Sequence, residues 1–120
     1  MFALDATASR ETTWSEARRL HATMFDVAAE FKGNLEVQLC YYQGIALFQC
    51  SKWLEDALAL KKVMAPIRCL GGYTQIEAVL HHAIKETKLA PIKAVVFIGD
   101  AMEEDPDRLC YLAVQLGLLN

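Results

Sequence analysis

The chain has 120 residues, of which 54% are hydrophobic and 22% charged, and its net charge is −3. A chain of this length and composition forms one compact domain with a sizeable core, which excludes a disordered polypeptide. The balance of 12 basic against 15 acidic residues argues against a nucleic-acid-binding protein held by phosphate contacts. We therefore expect a single domain over residues 1–120.

Membrane and export signals are missing from the pattern of the chain. No apolar run approaches the roughly 18 residues of a membrane-spanning helix. The N-terminus also lacks the basic and then apolar stretch of a signal peptide. We expect no membrane contact and a cytoplasmic location. The cysteines lie in apolar segments without a C-x-x-C spacing, and we predict reduced, buried thiols; they are Cys40, Cys50, Cys69 and Cys110.

The first half of the chain alternates between strand and helix patterns. A short apolar strand over residues 2–4 is followed by a helix from Trp14, whose apolar stripe reaches Phe31. Residues 35–41 then alternate as a strand does, and residues 45–50 form a second strand. Because Gln43-Gly44 is a tight-turn signal, these two strands are predicted to form an antiparallel hairpin.

The second half favours helices around one late strand. Helices are predicted over residues 52–64 and 74–87, and a last helix begins at Asp105-Pro106, where aspartate caps and proline occupies the first turn. The unbroken apolar run 94–98 is typical of a central strand that is covered on both faces. The order β-α-β-β-α-α-β-α predicts a mostly parallel α/β sheet, with one antiparallel hairpin strand and helices on both faces.

The sequence also contains three possible helix caps and three histidines whose roles can be predicted from their positions. The pairs Thr13 with Glu16, Thr74 with Glu77, and Asp100 with Glu103 have the spacing of capping boxes. His21 lies on the apolar stripe of its helix, which predicts a core histidine with its hydrogen bonds satisfied. His81 and His82 are adjacent on a helix, so they are expected to point in different directions and not to share a metal.

Three loops carry oxygen ligands and follow a strand or precede a helix. They are the loop from Asp5 to Ser9, the turn Gly71-Gly72-Tyr73-Thr74, and Gly99-Asp100. If the hairpin occupies one side of the first strand and the late strand the other, Asp5 and Asp100 end adjacent parallel strands. Neighbouring strands are roughly 5 Å apart, and two carboxylates that close repel each other unless a cation or proton lies between them. Together with three nearby hydroxyls they predict a compact oxygen site for Mg²⁺ or Mn²⁺; the predicted ligands are Asp5, Thr7, Ser9, Thr74 and Asp100.

These three motifs, in this order, resemble the von Willebrand factor A (VWA) family and its metal-ion-dependent adhesion site. The family has a D-x-S-x-S loop, a distant threonine after a Gly-Gly turn, and an aspartate after a late apolar strand. In this chain they look like Asp5-Ala6-Thr7-Ala8-Ser9, Thr74 and Asp100. Thr7 replaces the first serine, and Ala101 stands where a glycine is common. The resemblance implies a three-layer, Rossmann-like fold.

The resemblance also implies how the metal is held and used. Thr7 and Ser9 would bind it directly, Thr74 directly or through water, and Asp5 and Asp100 largely through waters. One coordination position stays open and is filled, in the family, by a glutamate or aspartate of a partner protein. The implied function is cation-bridged recognition rather than catalysis. Intracellular bacterial members often work beside AAA+ ATPases or within multiprotein assemblies.

The family fold continues with two more strands and another helix, so we expect this chain to be truncated. Without those strands, residues 94–98 would form an uncovered apolar edge, and such edges invite pairing with another chain. The expectation is a homodimer, or strand exchange, through this edge.

Two other functions remain open. A haloacid dehalogenase-like phosphohydrolase begins with an aspartate nucleophile at a strand end and finishes with a Gly-Asp-x-x-x-Asp loop for Mg²⁺. Asp5 and Thr7 fit the variant of the first motif that has a threonine two positions later, and Gly99-Asp100 begins the last motif. Asp105, however, falls one residue late and Glu104 would have to substitute. Thr7 also cannot act as the general acid that an aspartate supplies there. The third reading is a metal-free scaffold.

Overall fold

A computed structural model describes residues 1–30 and 35–120 of the chain. Its elements follow one another in the predicted order, with an additional short 3-10 helix over Ala8–Thr13 before the first α-helix. The strands and helices are β1 (Phe2–Asp5), α1 (Trp14–Glu30), β2 (Val37–Gln43), β3 (Leu47–Leu54), α2 (Ala57–Met64), α3 (Ile76–Leu89), β4 (Val96–Ile98) and α4 (Pro106–Leu118). The predicted end of the first helix at Phe31, before Gly33, lies outside the described residues.

The four strands form one mixed sheet in the order β3-β2-β1-β4. β1 pairs in parallel with both β2 and β4, so that Leu4 lies opposite Tyr41 on one side and Ile98 on the other. β2 and β3 form the antiparallel hairpin. The prediction that the hairpin and the late strand flank the first strand on opposite sides is therefore confirmed.

The late strand is not the covered central strand that its apolar run predicted. β4 comprises only Val96–Ile98 and is half-buried. In the sheet that the described residues form, it is an edge strand that pairs with β1 on one side. An apolar run favours burial but does not determine how many strands flank it. The homodimer through this edge stays a prediction.

Helices pack on both faces of the sheet because side chains of β1 alternate between two cores. Phe2 and Leu4 belong to the core formed with α1 and α2. Ala3 belongs to the opposite core, which α3 covers with Val79 and Ala83. This arrangement confirms a mixed, mostly parallel α/β sheet with helices. No helix in the two described ranges is long and apolar enough to cross a membrane.

β3 is longer than predicted, and α2 correspondingly shorter. Residues 52–54 were expected in a helix but continue the strand, with Trp53 opposite Gln38 and Leu54 opposite Val37. A register shift between Gln38 and Cys40 lets the pairing continue. α2 begins only at Ala57, where the Asp56 side chain accepts a hydrogen bond from the backbone of Ala59.

Gly72 allows the loop before α3 to lie directly against the β2–β3 turn. A Cβ atom added to Gly72 would lie 1.6 Å from the carbonyl oxygen of Gly44. That oxygen accepts a hydrogen bond from the Tyr73 backbone at 3.2 Å. Because the added Cβ would collide with backbone atoms of Gly44, no rotation of a side chain could relieve the clash.

Gly72→Ala is expected to destabilise the fold by about 2–3 kcal/mol, because the loop or the turn must move and lose its hydrogen bonds. Gly117→Ala is the matched control: its added methyl meets nothing within 4 Å, and in a helix the change stabilises by about 0.5–1 kcal/mol. Urea denaturation measures both. Equal free energies of unfolding for Gly72→Ala and the wild type would contradict the close contact.

His21 is a core histidine, but its hydrogen bonds are not satisfied. The residue is fully buried, and neither ring nitrogen has a partner in the described structure. Its ring lies 4.6 Å from that of Phe2, centroid to centroid. Burial lowers the pKa of His21 from 6.5 to about 4, because the imidazolium ion loses its hydration.

This pKa predicts a stability that falls with acidification. Between pH 6.5 and 4 the unfolded chain binds a proton at His21 that the folded chain does not, so the free energy of unfolding decreases as the pH falls through this window. The loss from this group is about 3 kcal/mol, at 1.4 kcal/mol per pKa unit. Chemical denaturation of His21→Leu, compared with wild type at several pH values, is expected to show a shallower decrease. Parallel pH profiles would contradict the assignment.

Candidate functional site

Backbone hydrogen bonds join two of the predicted site loops, the one after β1 and the one before α3, at the end of the sheet where the parallel strands finish. Ala6, just after β1, donates to the carbonyl of Tyr42 at 2.8 Å and accepts from Leu70 at 2.9 Å. Gly44 in turn donates to Leu70 at 3.3 Å and accepts from Tyr73. The loops after β1 and β2 and the segment before α3 therefore lie side by side, where the parallel strands end.

Asp5 is fully buried at the end of β1. Its Oδ1 accepts two hydrogen bonds from Thr7, one from the backbone N–H at 2.8 Å and one from the hydroxyl at 2.6 Å. Its Oδ2 is buried with no hydrogen-bond partner. Because an unpaired buried carboxylate oxygen is costly, this atom marks a position where a positive charge or a proton would stabilise the structure.

The buried phenol of Tyr42 is a second polar group without a partner at this edge. Its hydroxyl has no hydrogen-bond partner within 3.5 Å in the described structure. Burial raises the pKa of Tyr42, and the negative charge of nearby Asp5, together with a longer hydrogen-bonding contact to that carboxylate, raises it further. Tyr42 is thus a neutral donor close to Asp5.

Ser9 links Thr7, the partner of Asp5, to Asp100, which lies 91 residues after Ser9 in the sequence. The hydroxyls of Thr7 and Ser9 are 3.2 Å apart, and the Ser9 hydroxyl donates to Asp100 Oδ1 at 3.2 Å. Asp5 and Asp100 thus lie on the same side of the molecule, as their adjacent strands require. Ser9 and Asp100 are exposed, whereas Asp5 and Thr7 are buried, so the site runs from the core to the surface.

Thr74 lies at the same edge but pairs elsewhere. Its hydroxyl accepts from the Glu103 backbone at 3.0 Å, and its own N–H donates to the Glu103 carboxylate at 2.9 Å. None of its hydrogen bonds in the described structure joins it to Asp5, Ser9 or their partners. The structure therefore brings four of the five predicted ligands into one network and leaves Thr74 beside it.

The N-terminus of α3 is capped by a carboxylate that is distant in sequence. Glu104 accepts from the backbone N–H groups of Ile76 at 2.5 Å and Glu77 at 2.7 Å. The three predicted capping boxes do not form among the described residues. The Thr74 hydroxyl accepts from the Glu103 backbone and the Thr13 hydroxyl donates to the Arg10 carbonyl at 3.3 Å, while the next helix after Asp100 begins only at Pro106. The Asp105 cap of α4, by contrast, is confirmed by its bond from the Asp107 backbone at 3.0 Å.

The same contacts bear on the phosphohydrolase alternative. That reading needs Glu104 or Asp105 to supply a second acidic ligand in the last motif. Both oxygens of Glu104 accept hydrogen bonds from α3, and Asp105 caps α4. Glu104 thus serves as a cap with both of its oxygens, and Asp105 with its Oδ1.

A second cluster of potential ligands was missed by the sequence analysis. One potential ligand atom from each of Cys40, Cys50 and His82 lies within 4.8 Å of the other two. The expectation of buried thiols is confirmed for Cys40 but wrong for Cys50 and Cys110, which are exposed, and for the half-buried Cys69. The cluster was missed because a two-residue turn at Gln43-Gly44 would not place Cys40 opposite Cys50.

The comparisons with known proteins do not place the chain in a family. No family model, no curated protein and no solved structure matches it. The likeness to the VWA family therefore depends on the three motifs and on the geometry described above.

Glu104→Ala is expected to destabilise the fold by about 1–3 kcal/mol, because two N-terminal N–H groups of α3 lose their acceptor. Glu55→Ala is a suitable control, since Glu55 is exposed in the connection between β3 and α2. Thermal and urea denaturation measure the difference. If both variants unfolded alike, the long-range cap would be excluded as a stabilising contact.

Proposed function

We propose that the chain is a VWA-like module with the three-layer fold of that family, and that it recognises a partner protein through a bound Mg²⁺ or Mn²⁺. Thr7 and Ser9 are the direct ligands, while Asp5 and Asp100 act mainly through waters. Thr74 completes the site directly or through water. The open metal position takes a glutamate or aspartate of the partner, and no reaction is catalysed.

The separation of the two hydroxyl oxygens carries this proposal. Thr7 donates its single proton to Asp5. The Ser9 proton has two acceptors at 3.2 Å, Asp100 and the Thr7 oxygen; when it points to Asp100, the two hydroxyl oxygens face each other with lone pairs. Neighbouring ligands in an octahedral Mg²⁺ shell, with bonds of 2.0–2.1 Å, are about 2.9 Å apart. A cation between them would replace this 3.2 Å contact by two metal–oxygen bonds.

The carboxylates support a cation in a different way. Asp5 holds Thr7 by two hydrogen bonds, and so orients the Thr7 oxygen and increases its electron density. The unpartnered Asp5 Oδ2 is available to a metal-bound water. Because Asp5 and Asp100 act largely through hydrogen bonds, the ion keeps most of its charge for a further anionic ligand.

The charge of the chain explains why a cation is needed. The net charge is −3, and Asp100 and Glu103 are exposed beside the site. An acidic partner side chain would be repelled here without the ion. Recognition is therefore expected to depend on the metal. Assemblies with an AAA+ ATPase or with several proteins are the settings that the family likeness favours.

The direct test is a calorimetric titration of the protein with Mg²⁺ and with Mn²⁺. Ser9→Ala and Asp100→Asn are each expected to weaken binding at least tenfold, because each removes an oxygen that holds or orients the ion. Both residues are exposed, so these variants are expected to fold. Ser15→Ala and Asp107→Asn change the same residue types at exposed positions of α1 and α4 and are expected to bind as the wild type does.

Equal affinity in Ser9→Ala and Ser15→Ala would overturn the site. A separate assay distinguishes the enzyme alternative, with a generic phosphomonoester as substrate and Mg²⁺ present. We expect no turnover. Hydrolysis that Asp5→Asn abolishes would show a phosphohydrolase instead.

A further inference from the structure

A group of soft ligands lies where the hairpin meets α3, on the second of the two cores. Cys40 and Cys50 are directly opposite each other in the antiparallel pairing of β2 and β3. His82 extends from α3, and its ring packs edge-on to Phe48 of β3 with centroids 5.6 Å apart. The three residues therefore come from three different elements.

The distances within this group fit a small metal ion. One ligand atom from each residue lies within 4.8 Å of the other two. In a tetrahedral zinc site, with Zn–S of 2.3 Å and Zn–N of 2.0–2.1 Å, ligand atoms are separated by about 3.4–3.8 Å. The three side chains thus need to approach by little more than about 1 Å, which small χ rotations allow.

Gln38 already orients His82. Its amide nitrogen donates to the carbonyl of Ser51 at 3.1 Å, which directs its oxygen towards His82 Nε2 at 2.9 Å. The Cys40 thiol donates to the same oxygen at 3.9 Å, a contact that is lost when the thiolate binds zinc. Partners of this kind hold metal-binding side chains in a defined orientation. Gln38 is itself buried, so this support is part of the core.

Glu86, one turn after His82 on α3, adds negative charge at the same place. Its carboxylate accepts from the Trp53 indole at 3.1 Å. The charge of Glu86 raises the pKa of His82, against the dominant effect of burial, which lowers it. A negative charge near the cluster favours a divalent cation.

The two thiols differ in accessibility. Cys40 is buried and Cys50 is exposed, so an ion from solvent reaches Cys50 first. Because zinc binds thiolates, its binding would release the thiol protons of both residues.

We propose that Cys40, Cys50 and His82 bind one Zn²⁺, which ties the β2–β3 hairpin to α3. The fourth position is taken by water. Two thiolates and an imidazole prefer zinc to Mg²⁺, since soft sulfur ligands select soft or borderline ions. The site is thus chemically separate from the oxygen site after β1 and does not depend on it.

The experiment is a Zn²⁺ titration of the reduced protein in competition with a chromophoric chelator, together with thermal unfolding with and without Zn²⁺. The wild type is expected to bind one high-affinity Zn²⁺ and to melt at a higher temperature when loaded, since a ligand that binds only the folded state stabilises it. Cys50→Ser and His82→Gln are each expected to weaken Zn²⁺ binding at least tenfold and to abolish the thermal shift.

Three matched variants make the result specific. His81→Gln alters the adjacent exposed histidine, Cys110→Ser alters an exposed thiol of α4, and Asp100→Asn alters the oxygen site. All three are expected to retain the zinc affinity of the wild type. Zinc affinity that is unchanged in Cys50→Ser and in His82→Gln would overturn the proposal, as would a wild type that binds no Zn²⁺ at micromolar concentrations.

Discussion

The parallel pairing of β1 with both of its neighbours is the constraint on which the oxygen site depends. Parallel strands end at the same edge of a sheet, so the loops after β1 and β4 have to meet there. Gly99 shows how closely they do: a Cβ atom added to it would lie 3.4 Å from the Cβ of Asp5 and 2.5 Å from the Phe97 ring. The backbone after β4 therefore passes directly beside the buried carboxylate, and Asp100 follows at the surface.

The buried carboxylate at this edge has a cost in stability. Asp5 lies at zero exposure and its Oδ2 has no hydrogen-bond partner, a cost that the proposed cation would offset. Nearby, Glu103 bonds to Thr74 and Glu104 caps α3, so the loop after β4 is fastened to the start of that helix. These bonds restrict the positions of Asp100 and Thr74, which would lower the entropic cost of binding the proposed ion.

Sequence patterns predicted those features that depend on local periodicity and on strand order. The alternation of strand and helix patterns predicted the sheet order, and the sheet order predicted that Asp5 and Asp100 lie close together. Contacts that depend on register or on distant caps were missed. The loop of the hairpin spans residues 44–46, and only this length brings Cys40 opposite Cys50. The α3 cap comes from 27 and 28 residues away, beyond the reach of any local capping signal.

The central claim is that a hard cation lies between the hydroxyls of Thr7 and Ser9 and keeps one position free for an acidic partner. A crystal structure of the protein grown with Mn²⁺, with anomalous diffraction recorded, tests it most directly. We expect one anomalous peak within about 2.2 Å of both hydroxyl oxygens, with waters between the metal and the two carboxylates. Coordinates that separate Ser9 from Asp100, or Mn²⁺ bound only at other surface carboxylates, would contradict the account.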